Sequence, residues 1–244
     1  MEKKYSATGG NSIHPNTRVG FMLLGFAIML QFCGSVFEIN NYRIKNNFSL
    51  PVSIGGFILL AMGIFQTSKI NLKLFLSMAL GFLYISLCWG LMVDLFQQTP
   101  LTNFTLAGNF IPIVIIASIW INDTMAYIVG SLIGKTPLSK VSPKKTWEGT
   151  IGGILLCVAF MGFLFTKLFY PFLHNQLYFF LTITAALAAI FGTIGDLLES
   201  KLKRMADVKD SGNFMPGHGG FLDRFDSLLL AVPAVWLYVY FIIS

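Results

Sequence analysis

Long apolar runs separated by short polar loops set the pattern of this chain. Seven runs read as membrane spans: Val19–Phe37, Leu50–Gln66, Leu72–Leu91, Phe110–Gly130, Thr150–Phe169, Leu177–Leu197 and Phe225–Ile243. A span needs about 20 apolar residues, or about 17 at the short end. Nothing alternates with the period of a barrel strand, and backbone polar groups in lipid must be satisfied within their own segment, so the runs predict helices. The second run is short, and the fourth and seventh contain Pro112 and Pro233. The expected fold class is all-α, a polytopic integral membrane helix bundle of about seven transmembrane helices. One integral domain over residues 1–244 fits, with no linker, low-complexity run or internal repeat.

Loop charge supplies an orientation. The N-terminal segment carries Lys3, Lys4 and Arg18; the second loop has Lys69, with Lys73 beside it; the fourth has Lys135, Lys140, Lys144 and Lys145. The third and fifth loops have no Lys or Arg, and the first is a mild exception, with Arg43 and Lys45 offset by Glu38. Lysines and arginines concentrate in cytoplasmic loops. The expected placement is therefore a multi-pass protein of the cell (cytoplasmic) membrane, its N-terminus and its two richest polar loops in the cytoplasm. The polar residues 1–18 are followed by an apolar run without a small-residue cleavage site, which predicts an uncleaved span.

Composition sharpens this reading. The chain is 55% hydrophobic and 11% charged, with a mean hydropathy of +0.70, whereas soluble domains hold about 25% charged residues. The net charge of +6 is assigned to topology and to anionic headgroups or phosphate ligands, with no nucleic-acid partner. Cys33, Cys88 and Cys157 each lie in an apolar segment without a CxxC or a histidine at ligand spacing, which predicts three packed thiols.

One stretch, Ser200–Asp226, departs from the oily pattern: SKLKRMADVKDSGNFMPGHGGFLDRFD. Its glycines and proline between Gly212 and Gly220 exclude regular helix and let backbone amides approach a ligand. Lys209 and Arg224 can pair with phosphate oxygens. Asp210, Asp223 and Asp226 suit a hard cation, and Asp223 and Asp226, three apart on a helix start, can face one ion. Upstream, Asp196, Ser200 and Lys203 form a stripe if their helix continues, followed by Arg204. His218, between glycines, can orient a phosphate or donate a proton. Asp123 lies within the apolar fourth run, where a carboxylate is costly unless paired, hydrated or metal-bound, and Tyr127 shares its face. Lys144 and Lys145 follow a restrained Ser142-Pro143 turn. Thr146 can cap the next helix, with Glu148 in its first turn and free amides there able to hold phosphate. GxxxxGK[ST] and GxGxxG are both absent, so neither a P-loop nor a Rossmann reading is supported.

These motifs together resemble a known family. Ser200-x-Leu202-Lys203-Arg204, Lys209-Asp210-x-Gly212 and Pro216-Gly217-His218-Gly219-Gly220-x-x-Asp223-Arg224-x-Asp226 are similar to the signature of phosphatidate cytidylyltransferases. So are Gly195-Asp196-Leu197 with Glu199, Trp120-x-x-Asp123-Thr124-x-Ala126-Tyr127-x-x-Gly130, and Ser142-Pro143-x-Lys145-Thr146-x-Glu148-Gly149. The resemblance covers roughly residues 108–244, the expected catalytic part, while residues 1–107 match only in being apolar. It implies that CTP and phosphatidate give CDP-diacylglycerol and pyrophosphate, with Mg2+ and room for a monovalent cation (K+) beside it. Asp223, Lys209, Lys145 and His218 would carry catalysis. Lys144, Arg224, Lys203, Arg204, Ser200, Gly219 and Gly220 would bind substrate. Asp196, Asp223, Asp226, Asp123 and Asp210 would hold the metal. The partners expected are CTP and the membrane lipid phosphatidate, and a homodimer is compatible with the reading. The competing readings are a CTP-using polyprenol or phytol kinase, which would move the γ-phosphate, and a transporter or anion channel, which would place charges through several spans.

Overall fold

The computed structural model describes residues 13–33, 38–39, 42–67, 71–97, 110–139, 142–165, 167, 175–208, 210–212 and 220–243. Every apolar run lies on a helix among these residues. In chain order the elements are α1 (Pro15–Gln31), β1 (Glu38–Ile39), β2 (Tyr42–Arg43), α2 (Ile44–Gln66), α3 (Leu72–Gln97), α4 (Phe110–Ile133), α5 (Trp147–Val158), α6 (Asn175–Met205) and α7 (Leu222–Ile243). The helical chain after α5 continues as a π-helical segment, Ala159–Phe165. β1 and β2 form one antiparallel pair with Glu38 opposite Arg43. The expected ends of the first and fifth runs, Phe37 and Phe169, lie outside the described residues.

Among the described residues five helices are long and apolar enough to cross a membrane: Phe48–Gln66, Leu72–Phe96, Phe110–Ile133, Tyr178–Met205 and Leu222–Ile242. The chain is therefore an integral multi-pass membrane protein. Two of the seven expected spans are shorter helices. α1 has 17 residues, and α5 has 12 before its hydrogen bonding loosens to the wider π turn. α2 starts earlier than the apolar pattern suggests and carries Pro51 inside it. Large apolar side chains such as Phe57, Leu80, Leu132 and Phe241 face outward, as a lipid-facing surface requires.

The chain divides into two compact units, Met1–Gln97 and Gln98–Ser244. In the first, α1 packs against α2 and α3 through glycines. A Cβ on Gly20 would stand 2.6 Å from the backbone nitrogen of Leu60, and one on Gly56 3.0 Å from that of Leu24. Cys33, Cys88 and Cys157 are buried and form no disulfide, as expected.

The second unit carries the charged motifs. Its core joins α4, α6 and α7. Ile115, Ala185, Ala188, Ala189, Ala231, Val235 and Val239 are fully enclosed there. Apolar burial cannot drive association inside lipid, so small residues that permit close backbone packing do the work. α5 meets α4 where a Cβ on Gly149 would stand 2.7 Å from the Ala126 carbonyl oxygen, and one on Gly153 2.8 Å from the Ala126 nitrogen. α6 meets α7 where a Cβ on Gly195 would stand 2.8 Å from the Asp226 carbonyl oxygen. Both crossings lie beside charged residues, so the packing of the helices aligns their polar ends.

Gly149→Ala should lower thermal stability in detergent by about 1–3 kcal/mol, because the obstructing atoms are backbone. Gly81→Ala, where nothing lies within 4 Å, should be neutral or slightly stabilising. Equal melting curves for both variants would contradict the close α4–α5 crossing.

Candidate active site

The chain between α4 and α5 folds back on itself. The Leu138 amide donates to the Lys145 carbonyl at 2.7 Å, the Lys145 amide to the Ser142 carbonyl at 3.1 Å, and the Trp147 amide to the Thr136 carbonyl at 3.0 Å. The Ser142–Lys145 turn is thus the restrained turn that Pro143 predicts. Thr146 caps α5 in extended conformation, its Oγ1 accepting from the Gly149 amide at 3.1 Å. Glu148 accepts from the amides of Lys135 and Thr136, each at 3.2 Å. These bonds correct one expectation. The amides of Trp147 and Gly149 are already engaged, so the start of α5 is a closed cap and its amides are not open to a phosphate.

α6 continues as helix through Met205, which places Asp196, Ser200 and Lys203 on one helix as expected. It ends at Asp207, whose φ of 54° is left-handed, while the Val208 amide donates to the Lys203 carbonyl at 3.0 Å. This 6→1 closure needs a residue that tolerates positive φ, and aspartate is among the few besides glycine that do.

The chain then returns to the first turn of α7, where Asp223 gathers four donors. Its Oδ1 accepts from Lys203 Nζ at 2.8 Å. Its Oδ2 accepts from the Ser211 amide at 2.8 Å, the Ser211 hydroxyl at 2.9 Å and the Gly220 amide at 2.7 Å. Lys203 Nζ also forms an ion pair with Glu199 at 3.2 Å. Glu199 is only 6% exposed, and its carboxylate faces Asp226 on α7 as well as Lys203.

A cavity of about 630 Å3 lies between these elements, lined by Asp123, Tyr127, Ser142, Lys144, Lys145, Thr146, Asp196, Asp223 and Asp226 among others. Lys145 Nζ donates to the Asp196 carboxylate. Burial pulls the pKa of the Lys145 ammonium below its ordinary value, against the opposing pull of Asp123 and Asp226. Asp226 Oδ1 accepts from the Ser227 amide at 2.6 Å. Asp123 is exposed on its face of α4, so its carboxylate meets the cavity and is not sealed within apolar packing.

The cavity therefore brings together Asp123, Asp196, Asp223, Asp226, Lys144 and Lys145. Several other expected site residues are not on its wall. Lys203 turns to Asp223 and Glu199, and Gly220 spends its amide on Asp223. Arg204, Asp210 and Arg224 are exposed and Ser200 is half-buried, and none of these four is among the lining residues. Lys209, His218 and Gly219 lie outside the described residues.

Among the polar wall residues not singled out from sequence are Asn122, Thr193 and Ser227. Asn122 is 2% exposed and donates from Nδ2 to Thr193 Oγ1 at 3.2 Å. Each stands close in sequence to a wall aspartate, Asp123, Asp196 or Asp226. A buried amide in an otherwise apolar span, at Asn122, was the signal that could have found this floor.

The donor set is oxygen-only and acidic, the chemistry of a hard cation. Among the described residues no three His, Cys, Asp or Glu side chains stand together closely enough to hold a metal by themselves. Mg2+ is commonly held by one or two carboxylates plus substrate phosphate oxygens, so the four wall aspartates fit a cation that arrives with a phosphate ligand.

The fold and the site define a multi-pass helical membrane protein with an acid- and lysine-lined cavity at its polar helix ends. The chain belongs to the cytidylyltransferase family, whose pattern matches residues 12–242. Among curated relatives, the phosphatidate cytidylyltransferase of Bacillus subtilis is 39% identical over 168 residues, 68% of this chain and 56% of the relative. That of Staphylococcus epidermidis is 47% identical over 116 residues, 47% of this chain and 43% of the relative. A chloroplastic phosphatidate cytidylyltransferase of Arabidopsis thaliana is 42% identical over 118 residues, 48% of this chain and 29% of the relative. The matched part of the chain thus spans about half the length of the bacterial relatives, and less of the plant one.

Thr146→Ala should lose the Gly149 cap and lower thermal stability by about 1 kcal/mol, with Thr146→Ser restoring most of it. Equal stability of all three proteins would show that the cap contributes nothing.

Proposed function

We propose that this protein is a CTP:phosphatidate cytidylyltransferase of phospholipid synthesis, requiring Mg2+. The observation that carries the reading is one cavity in which two lysines face four aspartates, in a membrane chain of the cytidylyltransferase family. A phosphate oxygen of phosphatidate forms a bond to the α-phosphorus of CTP. The bond from that phosphorus to the bridging oxygen breaks, and pyrophosphate leaves with the electron pair. The products are CDP-diacylglycerol and pyrophosphate.

The attacking phosphate is already anionic, so the reaction needs no strong base. It needs two anions brought together, which requires charge neutralisation and positioning. Lys144 and Lys145 supply cationic donors to the triphosphate or the lipid phosphate. Asp196, Asp226, Asp123 and Asp223 would hold Mg2+, with K+ as the proposed monovalent companion. Mg2+, when bound, supplies charge neutralisation on the phosphate oxygens. The cavity lies near helix ends, where a lipid headgroup and a soluble nucleotide can meet, and the basic loops favour a cytoplasmic position for that side.

Purified protein with CTP labelled in the α-phosphate, phosphatidate and Mg2+ should form a labelled liponucleotide and pyrophosphate. EDTA should abolish the reaction. Label moving from γ-labelled CTP to the lipid, with CDP released, would replace the proposal by a kinase. In the same assay Asp196→Asn should lower kcat at least about 100-fold, at normal expression. For orientation, Lys201→Cys should react with an impermeant maleimide only after cells are permeabilised. Labelling of intact cells would reverse the proposed topology.

A further inference from the structure

The geometry points to Lys203 as a positioning residue that competes with a cation for Asp223, and not as a ligand for substrate phosphate. This inference rests on the proposed use of Asp223 as a metal ligand. Lys203 lies on α6, four residues after Glu199, and crosses to the first turn of α7. Its Nζ stands 2.8 Å from Asp223 Oδ1 and 3.2 Å from Glu199 Oε2. The three side chains are mostly enclosed, at 18% exposure for Lys203, 11% for Asp223 and 7% for Glu199. An exposed lysine pair of this kind would be worth little. An enclosed ammonium between two carboxylates is held in place, because moving it would leave charges unpaired away from water.

Asp223 is the only member of the triad that lines the cavity. Lys203 approaches it from outside the wall, through Oδ1. Ser211 and Gly220 occupy Oδ2. A cation that takes Asp223 from the cavity side must therefore draw an oxygen away from one of these donors or share it with one. Lys203 is the only charged donor among them, so it sets the electrostatic cost of that exchange. Glu199 moderates the cost by holding part of the ammonium on α6. Lys203 thus keeps Asp223 aimed and neutralised before the cation arrives, and weakens cation binding while doing so.

The two roles of Lys203 predict opposite results, readable without turnover. The measurement is binding of Mn2+ alone, followed by the paramagnetic resonance signal of free Mn2+, in the full-length detergent-solubilised protein. If Lys203 competes for Asp223, Lys203→Met should bind Mn2+ roughly tenfold more tightly than the unmodified chain. Lys203→Arg should restore the original affinity. The gain should vanish when Asp223→Asn is combined with Lys203→Met, because the two effects meet in one carboxylate. In steady state the Lys203→Met variant should need less Mg2+ for half-maximal rate, with the KM for CTP unchanged. Unchanged or weaker Mn2+ binding by a folded Lys203→Met protein overturns the inference. So does a raised KM for CTP at an unchanged Mg2+ requirement, the mark of a phosphate ligand. If Lys203→Met does not fold because the buried Glu199 loses its ammonium partner and faces Asp226 alone, Glu199→Gln/Lys203→Met compared with Glu199→Gln gives the same test. Liponucleotide synthesis by the unmodified protein is scored separately, so a failure of Lys203 to compete is distinguished from a failure of the cytidylyltransferase reading.

Discussion

The carboxylate of Asp223 is the tie on which the site depends. It sits in the first turn of α7, receives the ammonium of Lys203 from α6, and accepts from Ser211 and Gly220 on the returning chain. One side chain thus joins the end of one helix, the start of the next and both ends of the polar connection between them. The position suits a negative charge, since the first turn of a helix carries unsatisfied amides and the positive end of the macrodipole. Without that carboxylate, Lys203 and Glu199 would face each other with one charge too few on the α7 side, and the Ser211 and Gly220 amides would lose their acceptor.

A second constraint makes this tie possible. Charged residues near the ends of membrane helices are costly to enclose, and they are retained where partners lie within reach. Reach is set here by glycine. Gly195 lets α6 approach α7 next to Asp196 and Asp226, and Gly149 and Gly153 let α5 approach α4 next to the lysine turn. Lys145 then meets Asp196 across the cavity, and Lys203 meets Asp223 beneath it. Each of these two wall aspartates is neutralised by a lysine from another element. In a site that handles two anionic substrates, such lysines balance the acidic wall when no cation is present.

Much of this was legible in the chain alone. The helices, the capping role of Thr146, the turn at Pro143 and the buried state of the three thiols follow from local rules: apolar run length, side-chain hydrogen bonding to nearby amides, and proline geometry. Asp123, Asp196, Asp223, Asp226, Lys144 and Lys145 were recognisable because charges within or beside apolar runs are rare and need a reason. The helix lengths were less legible. α6 runs eight residues past the expected end at Leu197 because Ser200, Lys203 and Arg204 continue it as a polar last turn, which hydropathy reads as loop. The open amides expected at α5 were wrong because their partners, Thr136 and Thr146, belong to a local fold-back that periodicity does not encode.

The sequence by itself determined the membrane class, the positions of the helices and the residue types available for chemistry, because these depend on hydrophobicity and local backbone preference. The tertiary structure decided which charges meet. Lys203 and Arg204 are adjacent in sequence and equally basic, yet Lys203 is drawn to Asp223 and Glu199 while Arg204 remains exposed. Asp223 and Asp210 both looked like metal ligands, yet Asp223 lines the cavity and Asp210 stands outside its lining. Pairing of this kind depends on the crossing of helices and the return path of a connection. Those are set by packing between residues distant in the chain, which no local pattern records.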